Sequence, residues 1–334
     1  MVKLGVTLPV EDGLSAPQYL QLARAAEDHG YDSVWVGEVA GPEVFSMLGL
    51  MAGATSRIRV GSGIAGIHPR SAALTAMGFA TLASAAPGRV LAGLGVSSPM
   101  IVQDWHGRDF ARPLATVEGY VGALRAAWAG ERVEVEFPRV HGFRSGLLPP
   151  VVPPIVLGAM NPGMLRLAGR IADGVFITWC TPDEVAAKLA LVREGERAAG
   201  RAPGTVWAMS SFWGYAGDRA DEAAEKLRRV VLQYAMVPTH RASFAATFPE
   251  LERATELWRA GERRQALALV TPEAVARLCV VGDGAAVADR ARALGEAGVE
   301  LAVVLTPGAV PGDLDGPLAT ISALADAAHV GAGR

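Results

Sequence analysis

The chain has 334 residues, of which 51% are hydrophobic and 19% are charged, and its formal net charge is −3. This composition supports a large buried core and argues against a disordered chain. Without a basic excess we expect no nucleic-acid partner.

The two cysteines, Cys180 and Cys279, have no neighbouring cysteine or histidine at metal-ligand spacing, so neither a disulfide framework nor a metal site is expected. Residues 2–6 begin an alternating pattern that lacks the features of a signal peptide. No stretch of about 18 apolar residues suggests a membrane span. We therefore expect a cytoplasmic protein.

Short runs rich in valine and isoleucine alternate with longer segments of helical period, which is typical of parallel strands joined by crossover helices. The runs predict strands at residues 3–8, 33–36, 58–63, 90–95, 155–157, 175–178, 206–211 and 300–305. Helices are predicted at residues 16–29, 43–54, 69–86, 115–128, 162–171, 182–199, 272–277, 285–297 and 313–328. About eight strands is what an α/β protein of the (β/α)8 TIM-barrel class requires.

Three segments interrupt this repeat. Residues 96–112 have no clear period and predict a long functional loop. Residues 131–154 mix valine, glutamate and proline and predict an exposed hairpin or loop. Residues 218–268 are helical in period throughout, and we interpret them as an inserted helical hairpin that walls a substrate pocket. The prediction is one domain over residues 1–334 that carries this insertion.

Glycines are concentrated where predicted strands end, which in such barrels is where the active site lies. They occur in residues 61–66 (GSGIAG) and 93–98 (GLGVSS), where a planar ring could lie against the backbone, although a flexible turn explains residues 61–66 equally well. Residues 158–162 (GAMNP) lead into a helix N-terminus, which favours an anion such as a phosphate. A tight turn is the alternative there.

Four segments together resemble the luciferase-like monooxygenase superfamily, and within it the F420-dependent oxidoreductases similar to methylenetetrahydromethanopterin reductase. They are residues 30–36 (GYDSVWV), 57–64 (RIRVGSGI), 87–95 (PGRVLAGLG) and 167–175 (LAGRIADGV). The similarity runs through most of the chain and weakens after about residue 205. It implies a TIM barrel whose redox chemistry is carried by a bound cofactor.

The resemblance also implies which residues touch that cofactor. The Gly63–Ile64 peptide falls where the family has a non-proline cis bond against the deazaflavin ring. Residues 95–97 would lie beside the ring, and residues 158–160 would offer backbone amides to the cofactor phosphate. The full set of expected cofactor-binding residues is Ser62, Gly63, Ile64, Gly95, Val96, Ser97, Gly158, Ala159, Met160 and Trp179.

Three ionisable side chains are candidates for proton transfer. Many relatives have Asp-His after the second strand, whereas this chain has Glu38 and no histidine there, so Glu38 is the best candidate near the ring. His68 and His106 are the others. The alternatives are that Glu38 is a solvated loop acid, that His68 only begins a helix, and that His106 is a surface histidine. Ser98 stands where sugar-phosphate-oxidising relatives have a glutamate, which argues against that substrate class.

The resulting prediction is an F420-dependent oxidoreductase that moves a hydride between the deazaflavin and a small organic substrate with a C=C, C=N or C=O bond. A reduced-FMN-dependent monooxygenase, with FMN as cofactor, is the alternative among enzymes. A non-catalytic cofactor-binding protein is the alternative of another class. The family further implies a homodimer formed through the helices that follow the second and third strands.

Overall fold

Parallel strands and covering helices alternate along residues 2–332, the part of the chain that the computed structural model describes. The strands are β1 (Lys3–Thr7), β2 (Ser33–Val36), β3 (Arg59–Ser62), β4 (Ala65–Gly66), β5 (Val90–Gly95), β6 (Val133–Val135), β7 (Val140–Phe143), β8 (Ile155–Gly158), β9 (Gly174–Ile177), β10 (Trp207–Tyr215), β11 (Cys279–Val281) and β12 (Leu301–Leu305). The helices are α1 (Ala16–Asp28), α2 (Val44–Ala54), α3 (Ala72–Ala85), α4 (Pro113–Trp128), α5 (Pro162–Ile171), α6 (Pro182–Ala198), α7 (Ala220–Ala235), α8 (Pro238–Thr247), α9 (Pro249–Arg259), α10 (Arg263–Ala268), α11 (Pro272–Leu278), α12 (Gly284–Glu296) and α13 (Asp315–Ala332).

Eight of these strands close into a parallel barrel in the order β1-β2-β3-β5-β8-β9-β10-β12. Closure depends on β12, which pairs in parallel with β1 on one side and with β10 on the other. All eight coincide with the predicted strands, so the predicted TIM barrel is confirmed. No helix in the described part of the chain is both long and apolar enough to cross a membrane.

The start of α6 shows how the local sequence sets a crossover helix. Thr181 is the N-cap, and its side chain accepts from the backbone amide of Glu184, while the Glu184 carboxylate accepts from the backbone amide of Thr181. This capping box satisfies two amides that a helix N-terminus otherwise leaves free, and Pro182 adds a fixed φ at the first helical position. The helix therefore begins directly after the loop that follows β9.

The lower part of the barrel is filled with large apolar side chains. Residues on alternate strand positions point inward and form one cluster: Trp35, Leu91, Val156, Phe176, Met209, Leu301 and Val303. Trp35 is fully buried and donates its indole N–H to the hydroxyl of Ser33. The barrel is thus a packed core at this level, and a ligand has space only at an end of the strands.

Two irregular segments match their predictions in outline. Strands β6 and β7 form an antiparallel hairpin within residues 131–154, as predicted. The long loop over residues 96–112 contains a π-helical turn, Met100–Trp105, which the sequence did not indicate.

The predicted helical hairpin over residues 218–268 was wrong, because the structure has four helices there, α7 to α10. Pro238 and Pro249 each occupy the start of a helix. A proline has no amide hydrogen to donate, so it ends one helix and begins the next without interrupting the apolar period. Strand β11 was also missed, since it is only three residues long and follows α11 directly.

Candidate active site

The carboxyl end of the barrel is lined by small inward-facing residues. Beyond the apolar cluster, alternate positions bring glycine inward on four neighbouring strands, at Gly37, Gly63, Gly95 and Gly158. On the remaining strands the inward residues at this end include Thr7, Thr178 and Ser211, of which the last two share a hydrogen bond of 2.8 Å. We call this ring of small residues the rim. It is where a flat ligand can approach the backbone.

Three predicted cofactor segments meet at the side chain of Ile64. The Gly63–Ile64 peptide bond is cis, as predicted. A Cβ added at Gly95 would lie 2.8 Å from Ile64 Cδ1, and one added at Gly158 would lie 3.3 Å from Ile64 Cγ2. Both glycines therefore leave room for the side chain of Ile64, a reason the sequence did not reveal. Ser62 points its hydroxyl to the carbonyl oxygen of Gly93, at 2.6 Å, and so joins β3 to β5.

The phosphate prediction at the α5 N-terminus needs one correction. The amide of Ala159 donates to the carbonyl oxygen of Phe176 at 3.0 Å, so it is already used within the barrel. The Asn161 side chain makes no capping bond and instead donates to the carbonyl oxygen of Thr239 in α8. The amides left to bind an anion are thus those of the first helical turn, such as Gly163, because such amides have no partner inside a helix.

The remaining predicted cofactor residues lie at the same end of the barrel. Ser97 follows β5 with φ at 62°, and Trp179 follows β9 with φ at 53°, both in the left-handed region that non-glycine residues avoid. Val96 is half-buried against the main core. Met160 is half-buried against an aromatic group that surrounds Trp179.

That group, the aromatic cluster, comprises Trp179, Trp213, Tyr234 and Phe244. The Trp179 ring lies 4.5 Å from Tyr234, 5.8 Å from Trp213 and 5.6 Å from Phe244, measured between centroids. Tyr234 and Phe244 come from α7 and α8, so the helical segment after β10 packs directly onto the loop after β9.

Glu38 is held in an ion pair. Both of its carboxylate oxygens accept from the guanidinium of Arg70, which also pairs with Glu43, the N-cap of α2. The Glu38 and Arg70 side chains are 16% and 15% exposed, respectively. The pair joins the loop after β2 to the segment before α3, which gives Glu38 a structural role. A role in proton transfer stays a prediction.

The two candidate histidines lie in different surroundings. Nε2 of His68 is buried and has no hydrogen-bond partner among the described residues, and its ring lies 5.1 Å from that of Phe110. Burial lowers the pKa of His68, so the ring is neutral at pH 7. His106 is exposed at the end of the π-helical turn. Catalytic roles for both stay predictions.

Two polar atoms of the rim were not singled out by the sequence. Thr7 Oγ1 and Trp213 Nε1 are buried, and neither has a hydrogen-bond partner within residues 2–332. An unpaired buried donor or acceptor costs about 1–3 kcal/mol, so such groups are rare unless they meet a ligand or water. Thr7 was not among the residues predicted to form the site. Its position at the end of the first predicted strand was the available signal.

A cavity of about 710 Å³ lies apart from the rim. It is bounded by α7, α11 and α12 and is lined by residues that include Arg228, Val275, Val281 and Arg290. Arg228 Nε is also buried without a hydrogen-bond partner among the described residues, but it lies on a helix outside the barrel wall, whereas Thr7, Trp213 and the four glycines of the rim face the barrel axis. We therefore place the candidate active site at the rim.

The family model described as luciferase-like monooxygenase matches residues 3–301, which is most of the chain. The chain belongs to the luciferase-like monooxygenase family. The resemblance inferred from the four sequence segments is thus confirmed. Membership of this family agrees with a rim-centred site, since it is a TIM-barrel family and such barrels place their active sites at the carboxyl ends of the strands.

Curated relatives in this family include a 5,10-methylenetetrahydromethanopterin reductase of Methanolobus tindarius, which is 29% identical over 64% of this chain and 65% of its own length. An F420-dependent hydroxymycolic acid dehydrogenase of Mycobacterium tuberculosis is 34% identical over 61% of this chain and 60% of its own length. The chain thus matches less than two thirds of either relative.

Among solved structures, the coenzyme F420-dependent tetrahydromethanopterin reductase of Methanopyrus kandleri superimposes with a TM-score of 0.81, and 99% of each chain is covered at 22% identity. At that identity the likeness concerns the fold alone.

Proposed function

We propose that this member of the family is an F420-dependent oxidoreductase that transfers a hydride between the deazaflavin and a small organic substrate. The observation that carries the proposal is the rim, where four adjacent strands present glycine and two inward-facing polar atoms, on Thr7 and Trp213, are buried without partners among the described residues. Relatives named as F420-dependent add support.

The residues of the rim fit a flat cofactor with an anionic tail. Glycines on β2, β3, β5 and β8 leave the backbone open along one side of the barrel, and the uncapped first turn of α5 lies beyond β8 at the same end. Ile64, Ser97 and Trp179 would border the ring, and the amides of the α5 N-terminus would hold the phosphate. When bound, reduced F420 supplies two electrons and one hydrogen as a hydride, and a proton from water completes the reduced product.

The protein's own part in this reaction is to orient both partners and to exclude water. The aromatic cluster and α7 to α10 would wall the substrate side, which is the role we propose for the inserted segment of the chain. His68 stays neutral at pH 7, so its unpaired Nε2 can accept or donate a hydrogen bond according to its tautomer. These contributions are positioning and electrostatic ones.

A titration of the purified protein with F420 and with FMN, each oxidised and reduced, tests the proposal. We expect micromolar or tighter binding of F420, weaker binding of FMN, and reoxidation of reduced F420 when a substrate is present. Preference for FMN with consumption of oxygen would indicate a monooxygenase instead. Binding of F420 without hydride transfer to any acceptor would indicate a non-catalytic cofactor-binding protein.

We further propose that two copies of the chain associate through α2 and α3, the helices that follow the second and third barrel strands. Large apolar side chains are exposed on both: Leu50 on α2 is 48% exposed, and Leu74 and Met77 on α3 are 55% and 44% exposed. Apolar groups of this size on neighbouring helices are typical of a protein–protein contact.

The variant Leu74→Asp is expected to make the protein monomeric. An unpaired carboxylate in an apolar interface costs about 3 kcal/mol, which raises the dissociation constant about 100-fold. Sedimentation velocity over a concentration series measures the change. Val152→Asp is the matched control, because Val152 is equally exposed at 55% but lies in the loop before β8. A wild-type protein that is monomeric throughout would overturn the proposal.

A further inference from the structure

Two unpaired atoms of the barrel wall, Thr7 Oγ1 and Trp213 Nε1, belong to residues that are in register through one intervening strand. Leu305 of β12 is in register with Thr7 of β1 on one side and with Trp213 of β10 on the other. Parallel strands in register point their side chains to the same face, so all three residues face the barrel axis. Two strand spacings separate the outer pair, which is about 10 Å.

This pair lies across the barrel from the glycines. The glycines occupy the arc β2-β3-β5-β8, and the unpaired atoms occupy the arc β10-β12-β1. A ring that lies against the glycine arc would therefore leave the polar arc free for a second molecule. In a hydride-transfer enzyme that second molecule is the substrate.

We propose that Trp213 and Thr7 form the subsite for the polar atom of the substrate, with Trp213 Nε1 donating a hydrogen bond to a carbonyl oxygen or imine nitrogen. The inference rests on the proposed function and narrows its substrate class. An indole N–H donates and never accepts, so the substrate must carry an acceptor. A C=C bond is then a substrate only when it is conjugated to such a group.

The surroundings of Trp213 favour a substrate that has a flat apolar body and carries no negative charge. Its ring lies 5.8 Å from Trp179 and 6.4 Å from Tyr234, so the subsite borders the aromatic cluster. Nearby charges are engaged elsewhere: Lys226 pairs with Asp12, and Arg241 pairs with Glu252. Lys188, on the outer helix α6, donates to Ser243. A substrate anion would find no free cation in this set.

Trp213→Phe tests the subsite, because phenylalanine keeps an aromatic ring in the cluster and removes the N–H together with part of the indole ring. With cyclohex-2-enone as acceptor and reduced F420 as donor, we expect kcat/KM to fall about 10- to 100-fold, while the Kd for F420 stays unchanged. Thr7→Val is also expected to lower kcat/KM. Thr7→Val should keep its stability without ligand, since it removes a hydroxyl that has no partner in the described part of the free protein. Trp213→Phe should lose some stability because the smaller ring leaves a cavity in the aromatic cluster, so kcat/KM is compared at a temperature where both variants are folded.

Trp128→Phe is the matched control. The Trp128 indole donates to the carbonyl oxygen of Ala76 at 3.1 Å outside the barrel, so its loss should lower stability and leave kcat/KM unchanged. The inference is overturned if Trp213→Phe keeps kcat/KM within twofold of wild type. It is also overturned if kcat/KM for cyclohexene equals that for the enone. A third contrary outcome is a protein that binds F420 but reduces no member of a panel of uncharged ketones, enones and imines. Failure to bind F420 at all would instead refute the proposed function.

Discussion

Replacing Gly93 with alanine is expected to lower the free energy of unfolding by about 3 kcal/mol or more, enough to unfold a domain of ordinary stability in part. A Cβ at this position would overlap the carbonyl oxygen of Ser62 on the neighbouring strand β3. The obstacle is backbone, so no side-chain rotation relieves it. Urea unfolding of the protein without ligand, followed by circular dichroism, measures the loss.

Gly122→Ala is the control for this substitution. Gly122 lies within α4, and a Cβ built there meets no heavy atom of the described residues within 4 Å. Alanine is favoured over glycine in a helix interior by about 0.5–1 kcal/mol, so this variant should be slightly more stable than wild type. Equal urea midpoints for Gly93→Ala and wild type would mean that β3 and β5 are not packed as closely as the structure has them.

The barrel strands could be predicted because they are short apolar runs, most of them buried on both faces. The run at residues 90–95 is an example, since all six residues of β5 are buried. The helices after β10 could not be divided correctly, because Pro238 and Pro249 begin new helices in the same apolar period. The local pattern of apolar residues identifies which residues are helical. It does not show whether a new helix begins at a proline, because that depends on tertiary packing.

The glycines of the site show how far composition can be interpreted. They predicted a close approach of backbone to some other group, and the structure contains such approaches, but several are to the protein itself. Gly61 makes room for the ring of Trp35, at 2.5 Å from a built Cβ, and Gly95 makes room for Ile64. A single sequence shows that space is needed and does not show what fills it.

The polar residues of the site were harder to predict, because their partners are distant in sequence. Glu38 and Arg70 are 32 positions apart, and nothing local indicated that they pair. Thr7 and Trp213 come into register only because β12 pairs with both β1 and β10. Closure of the barrel therefore creates the proposed subsite, and closure involves all eight strands at once.

The pH dependence of stability is expected to depend strongly on His240 of α8. Burial, and then the positive charge of Lys188, lower the pKa of His240 from 6.5 to about 4. Its ring packs against Tyr234 at 5.5 Å, and Nδ1 lies 3.0 Å from the hydroxyl of Thr239. The folded protein thus keeps His240 neutral at a pH where the unfolded chain protonates it.

This difference determines whether stability rises or falls with pH. Above the unfolded pKa of about 6.5 both states hold a neutral ring, and the full stability is present. As the pH falls from about 6.5 towards 4, the unfolded state alone gains a proton, so stability falls by about 1.4 kcal/mol per pH unit. Between about pH 7 and pH 5 the contribution of His240 should be a loss of about 2 kcal/mol.

Urea unfolding of wild type and His240→Phe at these two pH values isolates that contribution. Phenylalanine retains a ring against Tyr234 and cannot take up a proton, so the variant should lose about 2 kcal/mol less than wild type on acidification. His68 is unchanged in both proteins, and its own lowered pKa therefore cancels in the comparison. An equal loss of stability in both proteins would show that His240 takes up a proton in the folded state. Its ring would then not be buried between α8 and the aromatic cluster.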